Sequence, residues 1–259
     1  MLNLFPRGIY KVMCWKFFDK DISEFSKALR TSQSTVKTAD ALSELSSYFN
    51  STWRSSQKVK TASRGVPIPP PKKKGLHPRG SDVEKAEINF FFELGDYFEN
   101  DYMPYRSDFQ VKVEGVLPLE DGFVFLEDHW RVDSHIFQDD PPPREPHPYF
   151  HFQRGGHAQE DLAQGDNFVP GSSLDKVPGD WCALMQGPCP RIPFPPHCPI
   201  LAIDFAIGQH NGDVWRRLRG TPEYREIVKK AQDRLWTPFF DGLANRDFRE
   251  KWMGPVLLK

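Results

Sequence analysis

A chain of 259 residues, 39 % hydrophobic and with formal net charge −1, can form one large domain or one domain with an appendage. The near-neutral balance excludes a whole-chain basic field of the kind that drives non-specific nucleic-acid binding. With 21 Phe and 7 Trp there is enough apolar surface to bury a core, which excludes global disorder.

The four cysteines, Cys14, Cys182, Cys189 and Cys198, are too sparse for a disulfide framework and predict a reducing, cytoplasmic setting. Met1–Trp15 lacks a long apolar run and a small-residue cleavage site, so no signal peptide is expected. No stretch approaches the ~18 consecutive apolar residues of a membrane span, so no membrane partner is expected.

In chain order, Asp21 offers a helix cap, and Ile22, Phe25, Ala28 and Leu29 share one helical face. A Ser/Thr-rich break at Thr31–Thr35 follows. Val36, Ala39, Leu42, Leu45 and Phe49 then predict a second helix over roughly 37–54. Helices this short are marginal alone, so their apolar stripes must pack on the main body or on a partner.

Residues 55–80 read as a linker. Val66-Pro67-Ile68-Pro69-Pro70-Pro71 predicts extended polyproline. Between Glu44 and Asp82 there is no acid, while Arg54, Lys58, Lys60, Arg64, Lys72, Lys73, Lys74 and Arg79 contribute eight positive charges. Lys72, Lys73, Lys74 and Arg79 are the candidate residues for binding a partner or nucleic acid. Such a strip binds phosphates by counterion release, with marked salt dependence; the plainer reading is a solvated linker.

Ser81-Asp82-Val83-Glu84 has the form of a capping box and predicts a helix from 81 to about 100. Its acids (Asp82, Glu84, Glu87, Glu93, Asp96, Glu99) form a negative face that could fold against the neighbouring basic strip and neutralise it. Phe109, Val111 and Val113 alternate with Gln110, Lys112 and Glu114, as in a half-buried strand. Glu120-Asp121-Gly122 signals a hairpin turn. The return strand starts at Phe123, and Trp130, Val132, Ser134 and Ile136 extend it or begin another. Tyr149–Gln153 is the last strand. Period-two alternation sends Phe150 and Phe152 to one face and Tyr149, His151 and Gln153 to the other.

Residues 155–180 form a long Gly/Asp/Ser-rich loop, and Trp181–Met185 a short strand. Ile200–Gln209, apolar all round except Asp204, is expected to be a central helix packed on the sheet. A short helical turn at Val214–Leu218 follows. Thr221-Pro222-Glu223 then starts the cleanest amphipathic helix, with Tyr224, Ile227, Val228, Ala231 and Leu235 on one face.

Six of the eight histidines lie between His129 and His197. His147, His151 and His157 can supply metal ligands, although their spacing matches no established zinc pattern. Cys182, Cys189, His197 and Cys198 are too loosely spaced for a structural zinc site. No resident cofactor is expected; a divalent metal such as Zn²⁺ belongs only to a catalytic reading. In that reading His151, His157 and Asp204 are the catalytic candidates, and Arg154, Arg191 and His197 would bind an anion near the start of the central helix.

The fold class expected is α+β: an antiparallel meander of about four to five strands packed against helices, with a small helical N-terminal appendage. The expected division is 1–54 appendage, 55–80 linker and 81–259 main domain. The primary functional expectation is a non-catalytic accessory protein that engages a macromolecular partner, a protein in the first instance, through its N-terminal helices and basic linker. The alternative is a metal-dependent hydrolase or nuclease using the histidine face.

Overall fold

The computed structural model describes residues 18–56, 59–94, 106–120, 122–134, 150–155, 184–187 and 198–243. Helix α1 (Phe18–Leu29), a 3₁₀ turn (Gln33–Thr35) and helix α2 (Val36–Ser56) precede a sheet of five strands: β1 (Val59–Pro67), β2 (Asp82–Leu94), β3 (Arg106–Leu119), β4 (Gly122–Ser134) and β5 (Phe150–Arg154). Helices α3 (Pro199–His210), α4 (Gly212–Gly220) and α5 (Pro222–Leu243) follow. The strands lie in sequence order and every neighbouring pair is antiparallel. This is the expected α+β meander. No helix among the described residues is long and apolar enough to cross a membrane.

Where a helix is expected over 81–100, the described residues Asp82–Leu94 form strand β2 instead. Ala86, Ile88, Phe90 and Phe92 are buried, while Lys85, Glu87, Asn89, Phe91 and Glu93 between them are less so. That is a period of two, and the Phe90-Phe91-Phe92 run favours a pleated surface. Ser81 does not cap a helix: its hydroxyl donates to the Pro78 carbonyl at 2.6 Å inside the preceding turn.

Residues 59–67, expected within a linker, form β1, and Val66 and Ile68 are buried in the core. Beyond the strand, the Ile68 N–H still donates to the Ala86 carbonyl at 3.0 Å. The register shifts between Ser63 and Val66. Gly65 sits in that bulge at φ +60°, and its N–H donates to Asn89 Oδ1 at 2.6 Å. This left-handed backbone favours glycine. At Gly115 a Cβ would lie 2.2 Å from the Asp82 carbonyl oxygen, so only glycine admits the β2–β3 approach there.

Helices cover one face of the sheet. Phe18 of α1, Phe49 of α2 and Phe92 of β2 meet with ring centroids 5.3–6.0 Å apart. Phe205 of α3 meets Phe109 of β3 and Trp130 of β4 at 6.4 and 5.9 Å. Phe25 of α1 packs on Tyr224 of α5 at 5.2 Å. These groups belong to one continuous core, so the stripes of α1 and α2 pack on the main body. Ser26 Oγ, 2.7 Å from the Ala39 carbonyl, marks the close approach of the two helices. Asp21 is not a cap: it lies in the first turn of α1, buried against Arg234 of α5.

Candidate functional site

Among the described residues no helix packs on the other face of the sheet, which is largely polar, and strand alternation decides which residues reach it. Phe150 and Phe152 pack against the core, as the alternation predicts, and His151 and Gln153 face the other way. Across the ladder, His151 pairs with Asp133 and Gln153 with Arg131. His151 Nε2 is 3.3 Å from Asp133 Oδ2, and Arg131 Nε reaches the same oxygen at 3.0 Å. Arg131 Nε also donates to Gln153 Oε1 at 2.6 Å.

Further along this face, Arg106 pairs with the buried Asp108. Lys112 bridges Glu114 and Glu127 at 2.9 and 2.7 Å, and Lys85 holds Glu87 at 2.7 Å. Lys112 bonds to Glu114 and lowers that carboxyl's pKa. Burial works against a charge on Lys112, but its bonds to Glu127 and Glu114 outweigh it and raise the ammonium's pKa. The face is therefore a lattice of opposite charges. It also carries an imidazole–carboxylate contact, His151 with Asp133.

The other candidates lie elsewhere. Arg154 alternates to the core side, where it grips the buried Asp128: its Nη2 donates to Oδ1 and Oδ2 at 3.0 and 2.8 Å. The Gly187 N–H donates to the same carboxylate at 3.0 Å. Burial still raises the Asp128 pKa, against the pull of Gly187 and Arg154. Arg154 is thus committed to an internal carboxylate. Asp204 belongs to the helical layer. Its Oδ1 accepts from Trp215 Nε1, Arg219 Nε and Tyr224 OH, each at 3.0 Å, and its Oδ2 accepts from Arg219 Nη2 at 2.5 Å.

The sheet stands between Asp204 and His151, because α3 packs on the Trp130 side and His151 faces away from it. The two are not brought together. His147, His157, Arg191 and His197 lie outside the described residues, as do Cys182 and Cys189. Cys198 is a buried free thiol, and burial pushes its pKa up to about 11. A thiol held protonated at neutral pH is no nucleophile. Among the described residues, no group of three or more His, Cys, Asp or Glu is placed to hold a metal ion.

The basic strip has a defined setting. Lys72 pairs with Asp213 of α4, and Lys73 pairs with Asp82 at the start of β2. The bond from Lys72 holds the Asp213 carboxyl below its usual range. Arg216 reaches the same aspartate at 2.8 Å. Residues i, i+3 and i+4 share a helix face, so Asp213, Arg216 and Arg217 lie together. Lys74 and Arg79 are exposed and carry no ion pair among the described residues. Beside this surface lies a cleft of about 390 Å³, lined by Thr31–Ser34 between α1 and α2 and by Arg217, Leu218 and Thr221.

Sequence reasoning passed over both parts of that cleft. The Arg216-Arg217-Leu218-Arg219 cluster was the available signal, but only a fold can place it beside Lys72 and the Thr31–Thr35 break. No protein-family model, curated protein or solved structure matches this chain.

Proposed function

We propose that the protein is a non-catalytic accessory protein. It binds an acidic protein partner on a basic surface formed by Lys72–Lys74, Arg79 and the exposed face of α4, next to the loop joining the N-terminal helices. One observation carries this reading: the Lys72–Asp213 ion pair sets the Pro/Lys segment beside Arg216 and Arg217, distant in sequence. Two separate basic tracts thereby become one surface. A protein partner is favoured over nucleic acid because the whole chain carries net charge −1 and Lys72 and Lys73 already have acidic neighbours. The setting we infer is the cytoplasm, supported by sparse cysteines and the buried free thiol of Cys198.

A fluorescently labelled polyglutamate peptide is the direct probe. Its affinity for the full chain should fall steeply between about 50 and 200 mM salt, and about tenfold in the Lys74→Gln/Arg79→Gln variant. Binding that ignores both changes overturns the reading. Tighter, equally salt-sensitive binding of duplex DNA would replace the protein partner with nucleic acid.

The hydrolase reading has a narrower base, the Asp133–His151 contact. It stands second because the neighbouring carboxylates are engaged by Arg131, Arg106 and Lys112, and because Asp204 lies across the sheet.

A further inference from the structure

We infer that the cleft between the α1–α2 loop and the α4–α5 corner is a subsite for a phosphoryl group, carried by a phosphorylated side chain of the partner. This rests on the basic-surface reading and names the group that the surface recognises.

The cleft's one cation is set apart from its neighbours on α4. Arg216 is engaged by Asp213 and by the Gly212 carbonyl, and Arg219 by Asp204. Arg217, between them, makes no hydrogen bond or ion pair among the described residues, and it lines the cleft. On the opposite wall the side chains of Ser32, Gln33 and Ser34 also make none, and Ser32 provides no capping bond to the turn that follows it. The Thr31 and Thr221 hydroxyls donate to the Ala28 and Leu218 carbonyls, so their protons are already used.

No carboxylate lines the cleft; Asp213, one turn before Arg217 on α4, acts on it by charge but is bonded to Lys72 and Arg216. Glu223 lies two residues beyond Thr221, in the first turn of α5. A guanidinium on one wall, with two hydroxyls and an amide on the other, surrounds a bound group with donors from several directions. A phosphate monoester presents three acceptor oxygens in a tetrahedral array and can use both walls. A carboxylate presents two in a plane and uses one.

The test is a titration of the ¹⁵N-labelled full chain with O-phosphoserine, inorganic phosphate and glutamate, followed by amide resonances. Phosphoserine and inorganic phosphate should move the Gln33, Ser34 and Thr221 amides at concentrations where glutamate does not. Arg217→Gln and Ser34→Ala should each weaken this response about tenfold, the size of one charge-assisted hydrogen bond. Both positions are solvent-exposed, and a melting curve matching the unmodified protein establishes that the fold is intact. Lys229→Gln, outside the cleft, should change nothing. Equal shifts from glutamate, shifts centred elsewhere, or an Arg217→Gln variant that binds normally would each overturn the inference. If phosphoserine fails while polyglutamate still binds through Lys74 and Arg79, the subsite falls and the basic surface stands. If polyglutamate binding ignores Lys74 and Arg79 while phosphoserine moves these amides, the reverse holds.

Discussion

At the scale of single residues, His210 shows how burial sets chemistry. It closes α3 with its ring edge-on to Trp130 at 6.1 Å. The residue is partly exposed, yet Nδ1 is covered and has no hydrogen-bond partner among the described residues. Burial lowers the ring's pKa from 6.5 to about 4. Below pH 6.5 the unfolded chain therefore takes up a proton that the folded chain refuses, and stability is lost as pH falls from 6.5 toward 4. The contribution is on the order of 2 kcal/mol. Urea unfolding at pH 7.5 and pH 5 should show the loss, and His210→Phe should remove that share of it. An unchanged pH dependence in the variant would mean that the ring is not shielded. Asp204 makes the complementary point. With four donor atoms on one carboxylate, its burial is explained by its partners alone. A lone acid in an apolar helix does not by itself signal chemistry.

At the scale of elements, the alternation in β2 has a direct test. Phe92 touches Phe18 and Phe49 in the core, whereas Phe91 faces outward beneath the Arg106 guanidinium, 4.2 Å from its ring centre. Phe92→Ala should cost about 3–5 kcal/mol, and Phe91→Ala about 1 kcal/mol. Chemical denaturation of the two variants measures both, and similar losses would contradict the strand. The same element shows where sequence reasoning fails. Val83, Phe90, Phe91, Leu94, Tyr97 and Phe98 fit a broad helical stripe, and Ser81 with Glu84 imitates a cap. A dense aromatic run satisfies both periods, and only pairing with β3 decides between them. In β5 the alternation was readable, because His151 and Gln153 interrupt apolar neighbours one for one. The β3–β4 hairpin and α3 were likewise readable from local chemistry. The cleft was not, because it joins residues 31–34 to residues 217–221 and no local pattern encodes that distance.

At the scale of the whole molecule, the first helices are part of the main core. Phe25 packs on Tyr224, and Asp21 is paired with Arg234. A chain trimmed to residues 59–259 should therefore fail to unfold cooperatively, losing the sharp thermal transition seen by circular dichroism at 222 nm. A truncated chain that melts like the full one would show that α1 and α2 are dispensable. Deletion of the N-terminal region thus removes the fold along with any binding surface, and point substitutions at Lys74, Arg79 and Arg217 are the informative variants.

The contact between α1 and α5 also constrains the order of events during synthesis. A ribosome makes Phe25 and Asp21 some two hundred residues before their counterparts Tyr224 and Arg234. The strands can zip together one after another as they emerge, since each pairs with its predecessor. The greasy side of the leading helices has no such early companion in α5. Phe18 can meet Phe49 and Phe92 early, but the patch around Phe25 stays uncovered until α5 clears the exit tunnel, which makes this interval a point for chaperone engagement.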